Sequence, residues 1–82
     1  MNKWCLYILE CSNNTLYTGV TNDLERRFDQ HKSGKGAMYT RFFTPTKILY
    51  TEKHLNRSKA QKRESEIKKW DRKKKLALIS DK

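Results

Sequence analysis

Leu16–His31, reading LYTGVTNDLERRFDQH, decides how the rest of the chain is read. Leu16–Thr21 alternates like a strand. Gly19 inside it weakens a ladder and marks a close approach of another backbone, side chain or ligand. Asn22 with Glu25 three residues later has the spacing of a capping box, so a helix over about Asp23–Ser33 is predicted. Leu24 and Phe28, four apart, form the apolar stripe of that helix. Arg27 and His31, also four apart, flank the stripe on one side. A small core has no use for so many polar groups in one place. Tyr17, Gly19, Arg27 and His31 are therefore candidates for a shared pocket.

Working back towards the N-terminus, Trp4–Cys11 (WCLYILEC) is an almost unbroken apolar run. It is too short and too aromatic for a helix and reads as a central strand covered on both faces. Ser12–Thr15 is a turn cluster, so the two strands form an antiparallel hairpin. Tyr7 and Tyr17 share a face only if paired positions sum to an even number, for example Cys11 opposite Thr15. The residues alone leave that register open.

Towards the C-terminus, Gly34 and Gly36 end the helix, and a basic, aromatic loop follows with Lys35, Tyr39, Arg41 and Phe43. Lys47–His54 reads as a third strand, with Ile48 and Tyr50 on one face and Leu49 on the other. Glu52 and His54 read as surface residues. Ser58 and Gln61 form a second capping box ahead of a helix over about Lys59–Trp70. Ala60 and Ile67 face inward there. Glu64, four after Ala60 and three before Ile67, falls on the same inward stripe, whereas Glu66 does not. Asp71 caps a last helix, Arg72–Ile79, whose Leu76 and Ile79 pack back. The order is strand, strand, helix, strand, helix, helix, an α+β arrangement.

Composition narrows the partners. At 82 residues the chain is expected to be one domain spanning 1–82, near the lower limit for a self-sufficient core. With 34% of residues charged and 35% hydrophobic, most charges must stay wet and an inward carboxylate is conspicuous. Nineteen Lys and Arg against nine Asp and Glu leave a net charge of +10, which favours a polyanion, nucleic acid first. No apolar run approaches the ~20 residues that span a bilayer, and the N-terminus lacks a signal-peptide layout, so a soluble, cytoplasmic protein is expected. Cys5 and Cys11 on one strand stand roughly 20 Å apart, too far for a disulfide, and read as buried thiols.

The residues taken together resemble the GIY-YIG nuclease superfamily, in particular its small single-domain UPF0213 group. They are also similar to the N-terminal nuclease domain of the bacterial excision-repair incision enzyme. Cys5-Leu6-Tyr7 stands at GIY and Tyr17-Thr18-Gly19 at YIG. NDLERRFDQH, GKGAMYTR, AQKRE and IKKW match further blocks in order. The resemblance implies a small three-stranded antiparallel sheet flanked by helices, in the order ββαβαα. It also implies metal-dependent hydrolysis of phosphodiesters by a probable-monomer fold acting on DNA rather than RNA, with no membrane partner. Carried over by position, Glu64 is the sole protein ligand of one Mg²⁺ or Mn²⁺ and Arg27 clamps a phosphate oxygen. Tyr17 lies beside the attacking water, Tyr7 positions water or phosphate, and His31 relays a proton. Gly19, Lys35, Tyr39 and Arg41 are expected to line the nucleic-acid groove. Two positions depart from the pattern: Cys5 replaces the first glycine of GIY, and Val20 stands where the repair enzymes carry Lys. The competing expectation is a nucleic-acid-binding module that keeps the fold without turnover.

Overall fold

The computed structural model describes residues 4–36 and 43–81. Tyr39 and Arg41 lie outside the described residues. Six elements follow one another: β1 (Cys5–Cys11), β2 (Leu16–Thr21), α1 (Leu24–Lys32), β3 (Pro45–Lys53), α2 (Arg57–Lys68) and α3 (Arg72–Ser80). The strands form one antiparallel sheet in the order β2-β1-β3. β1 is central, as its apolar run requires, and five consecutive residues from Cys5 to Leu9 are buried.

The hairpin register settles the two phenols. Cys5 pairs with Thr21, Tyr7 with Gly19 and Leu9 with Tyr17, so paired positions sum to an even number. Tyr7, Tyr17 and Gly19 therefore share one face. A three-residue loop makes this possible: Asn14 adopts a left-handed φ of 64°, and the Cys11 amide donates to the Thr15 carbonyl at 2.9 Å. The opposite face carries Leu6 and Ile8. With Ile67 of α2 these form the core, against which Leu16, Val20, Tyr50, Trp70, Leu78 and Ile79 pack. One face of the sheet is thus a hydrophobic seat for α2 and α3. The other presents polar groups towards α1.

Three local expectations shift. The cap of α1 is Asp23, whose carboxylate accepts from the Arg26 amide, rather than Asn22. The cap of α2 is Asn56, accepting from the Lys59 amide, rather than Ser58. In both cases an Asp or Asn next to the proposed cap supplies the acceptor instead. Asp71 caps α3 as expected, accepting from Lys74. β3 begins at Pro45, since proline is tolerated as the first residue of an edge strand. A bulge between the partners of Ile8 and Leu9 places Tyr50 opposite Ile8 and Ile48 opposite Leu9. Ile48 and Tyr50 consequently fall on different faces, because the extra residue, Leu49, breaks the two-residue period. Cys5 and Cys11 are free, buried thiols.

Candidate active site

The polar face of the hairpin is closed by α1, and it closes on His31. This imidazole is fully buried, as is the Tyr7 ring beneath it. Tyr7 Oη and His31 Nε2 are 2.9 Å apart. The Tyr17 ring meets His31 edge-on at 5.1 Å between centroids, and the two phenol rings lie 6.4 Å apart. Two glycines make the room. A Cβ at Gly19 would overlap the Tyr7 hydroxyl and press on Tyr17, and one at Gly36 would overlap His31 Nδ1. The glycine of the second strand is therefore required by the phenol of the first, directly across the ladder.

Burial sets the charge state of this cluster. It pushes the Tyr7 phenol up to about 12, with the neighbouring Arg27 acting against that shift and the charges of Tyr17 and Glu64 adding to it. Burial, and then the Arg27 guanidinium, pull His31 down to about 4. Both groups are neutral at pH 7, so theirs is a neutral hydrogen bond in a dry place. Arg27 is half-buried beside them, and its guanidinium donates to Gln30 Oε1 at 3.1 Å. A shallow hollow of about 130 Å³ runs past it, lined by Thr21, Asn22, Asp23, Arg26 and Gln30.

Glu64 approaches from α2. Ala60 and Ile67 are fully buried on the core face, and Glu64 stands one step round the helix from them. Its side chain is 21% exposed. It is close enough to the phenols for its charge to bear on Tyr7. Its carboxylate Oε2 meets Lys68 Nζ at 3.3 Å, and the same ammonium lies 6.0 Å from the centre of the Tyr17 ring. Lys68 joins the acid of the helix to the phenol of the strand and was not singled out from the sequence. Its i, i+4 spacing from Glu64 was the available signal.

Tyr7, Tyr17, Gly19, Arg27 and His31 are brought together, with Glu64 at their border. Lys35 is placed otherwise. It is exposed and shares an open hollow of about 630 Å³ with Asp23, Glu25, Arg26, Asp29, Gln30 and Ser33. That hollow is the more spacious one, yet its walls are the solvated side of α1, far poorer in perturbed groups.

A second polar cluster corrects the reading of Glu52 and His54 as surface residues. Both side chains are only 19% exposed. Glu52 accepts from Tyr50 Oη at 2.6 Å, His54 Nε2 at 2.8 Å and Arg63 Nε at 2.9 Å. Arg63 also donates to Glu66 at 2.6 Å and lies 5.3 Å from the Trp70 ring centre. Burial works to raise the Glu52 carboxyl, but these donors outweigh it and hold the group below its usual range.

The donor chemistry was tested against a divalent cation. Among the described residues no three His, Cys, Asp or Glu side chains cluster to form a cage. A single, partly exposed carboxylate with one cationic neighbour fits Mg²⁺, which keeps most of its waters and takes phosphate oxygens from its substrate. Glu64 meets that description and Glu52, surrounded by donors, does not.

This arrangement, a phenol pair on a β-hairpin with Arg and His from the next helix and one acid from a later one, defines a nuclease-type fold. The domain family described as the GIY-YIG catalytic domain matches residues 3–77, and the chain belongs to it. Within that family it is similar to UPF0213 proteins. One from Staphylococcus saprophyticus is 44% identical over 99% of this chain and 99% of its own length. Another from Clostridium perfringens is 51% identical over 94% of this chain and 83% of its own. The solution NMR structure of a UPF0213 protein from Bacillus halodurans covers 100% of this chain, and 86% of that chain is matched, with 43% identity and a TM-score of 0.63. Membership places the chain in a nuclease superfamily whose members typically use divalent metals. No helix among the described residues is long and apolar enough to cross a membrane.

Proposed function

We propose that this protein is a divalent-metal-dependent endonuclease that hydrolyses phosphodiester bonds in DNA, acting as a monomer. The observation carrying the proposal is that Glu64, from α2, borders the same small space as Tyr17, Tyr7 and Arg27, from two strands and α1. Such convergence of distant segments on neutral phenols, a guanidinium and a carboxylate suits phosphoryl chemistry better than core packing.

Each residue has a distinct task. Glu64 holds Mg²⁺ or Mn²⁺, which supplies charge stabilisation at the scissile phosphate and the leaving oxygen when bound. Arg27 takes a non-bridging phosphate oxygen with its planar fork. Tyr17, the less buried phenol, orients the attacking water and receives its proton. Tyr7 is too buried and too weakly acidic for that work. It is held by His31 and forms the floor against which Tyr17 rests. His31 is accordingly a positioning residue, because a buried imidazole that stays neutral well below pH 6 does not meet substrate. With no added recognition domain among these elements, cutting is guided by DNA structure, as in repair, more than by sequence.

The test is nicking of supercoiled plasmid with Mg²⁺ or Mn²⁺. Chelator, Glu64→Gln and Arg27→Ala are each expected to lower nicking by at least ~10³-fold, about 4 kcal/mol of barrier. Tyr17→Phe is expected to do nearly as much. Nicking that persists in Glu64→Gln removes the metal role. A second reading, DNA binding without turnover, is favoured by the Lys68 ammonium sitting on Glu64. It predicts salt-sensitive binding and no effect of metal.

A further inference from the structure

The charged residues of α2 are sorted by side. At ~100° per residue Arg57, Gln61, Glu64 and Lys68 fall within about 60° of arc. Arg63 and Glu66 lie on the opposite flank, tied to Glu52 and to each other. Two contacts fix where the first flank runs. The Arg57 guanidinium lies 5.8 Å from the centre of the Trp4 ring. Trp4 precedes Cys5, which pairs with Thr21 at the far end of β2. Lys68 lies over Tyr17, near the beginning of β2. Helix α2 therefore runs antiparallel along the β2 edge with a cation at either end.

The row continues into α3. Arg72 and Lys75 share a hollow of about 240 Å³ with Thr15 and Leu16, at the start of β2. The nearby Asp71 carboxylate is engaged by the Lys74 amide. Glu64 is the single acid of the row, flanked by Arg57 on one side and by Lys68, Arg72 and Lys75 on the other. Other basic residues of the same helices face elsewhere: Lys62 and Lys69 border a separate hollow with Ser65, Glu66 and Trp70.

We infer that this flank, Arg57–Lys68 of α2 continued by Arg72 and Lys75, is the track along which the protein holds the phosphates of one strand of duplex DNA. The inference rests on the nuclease reading for its DNA and adds the path. From Arg57 to Lys68 the helix rises ~16 Å, which matches about five phosphates at ~3.4 Å per strand step. Charge complementarity along that length leaves the lone carboxylate facing the middle of the strand, where a bridging cation belongs.

The competing account is that +10 of net charge attracts DNA over the whole surface. Anisotropy of a labelled DNA duplex, in chelator so that nothing is cut, separates the two. One triple variant carries Arg57→Gln, Arg72→Gln and Lys75→Gln. The other carries Lys62→Gln, Lys69→Gln and Lys73→Gln, removing the same charge from the same helices. The track variant is expected to flatten the log–log salt slope by about 2–3 and to weaken binding at least tenfold at ~100 mM salt. The off-track variant should change binding less than threefold. Equal losses in the two variants overturn the track. So does an RNA duplex of the same sequence that binds tenfold more tightly than the DNA. Circular dichroism and melting of both triples show that the fold is kept. Absence of nicking in the wild type defeats the nuclease reading and leaves this result standing.

Discussion

Two glutamates, Glu52 and Glu64, are both partly buried and both lean on helix α2, yet their surroundings differ. Glu52 is enclosed by a phenol, an imidazole and a guanidinium, each within hydrogen-bond distance. Glu64 has one ion-pair partner, an ammonium 52% exposed to water. The first carboxylate has its lone pairs filled and fastens β3 to α2. The second retains acceptor capacity and a partner that solvent or a metal can displace. Adjacent residues of one helix, Arg63 and Glu64, thus serve opposite ends: Arg63 locks the helix, and the lock keeps Glu64 aimed at the phenols.

The contrast can be broken by removing either acid. Glu52→Ala strands Arg63, His54 and the Tyr50 hydroxyl together, and is expected to cost about 3–4 kcal/mol. In a chain of this length that lowers the melting temperature by about 10 °C or more. A drop of only a degree or two would show the cluster to be ornamental.

Acid sharpens the comparison next. Burial holds His31 at about 4 in the folded protein, below its ordinary 6.5, so protonation favours the unfolded chain. Its stabilisation is complete above pH 6.5 and disappears as pH falls from there through 4, by about 3 kcal/mol. Glu52, also lowered, contributes stability above the ordinary carboxylate range and loses it only below about pH 4.3. Urea unfolding between pH 7 and 4 should show the His31 slope in the wild type and in Glu52→Gln, and a flat line in His31→Gln. Tyr7→Phe, which removes the partner of His31 Nε2, is expected to cost about 1–2 kcal/mol at neutral pH. Glu64→Gln is the smallest of the series: melting within about 0.5 kcal/mol of wild type, as for other exposed ion pairs.

Much of this was legible in the chain because it depends on periodicity. The even register of the hairpin follows from Cys11 opposite Thr15, and the inward phase of Glu64 follows from Ala60 and Ile67. What was not legible depends on neighbours far away in sequence. The bulge at Leu49 fits β3 to β1 and separates Ile48 from Tyr50, which no local pattern reveals. The Glu52 cluster left a trace, since Tyr50, Glu52 and His54 alternate onto one face, but its meaning needed Arg63 from another element. His31 was expected to relay protons near neutrality. The structure buries it completely, and only the packing of Gly36 and Tyr7 around it could show that.

The central claim is that Glu64, and not Glu52, is the cation's anchor beside the phenols. Titrating Mn²⁺ into isotope-labelled protein and following line broadening residue by residue tests it without any need for turnover. The account predicts broadening centred on Glu64, Lys68 and Tyr17, fading towards Glu52 and His54, and absent in Glu64→Gln. Broadening centred on Glu52, or unchanged by Glu64→Gln, would contradict it.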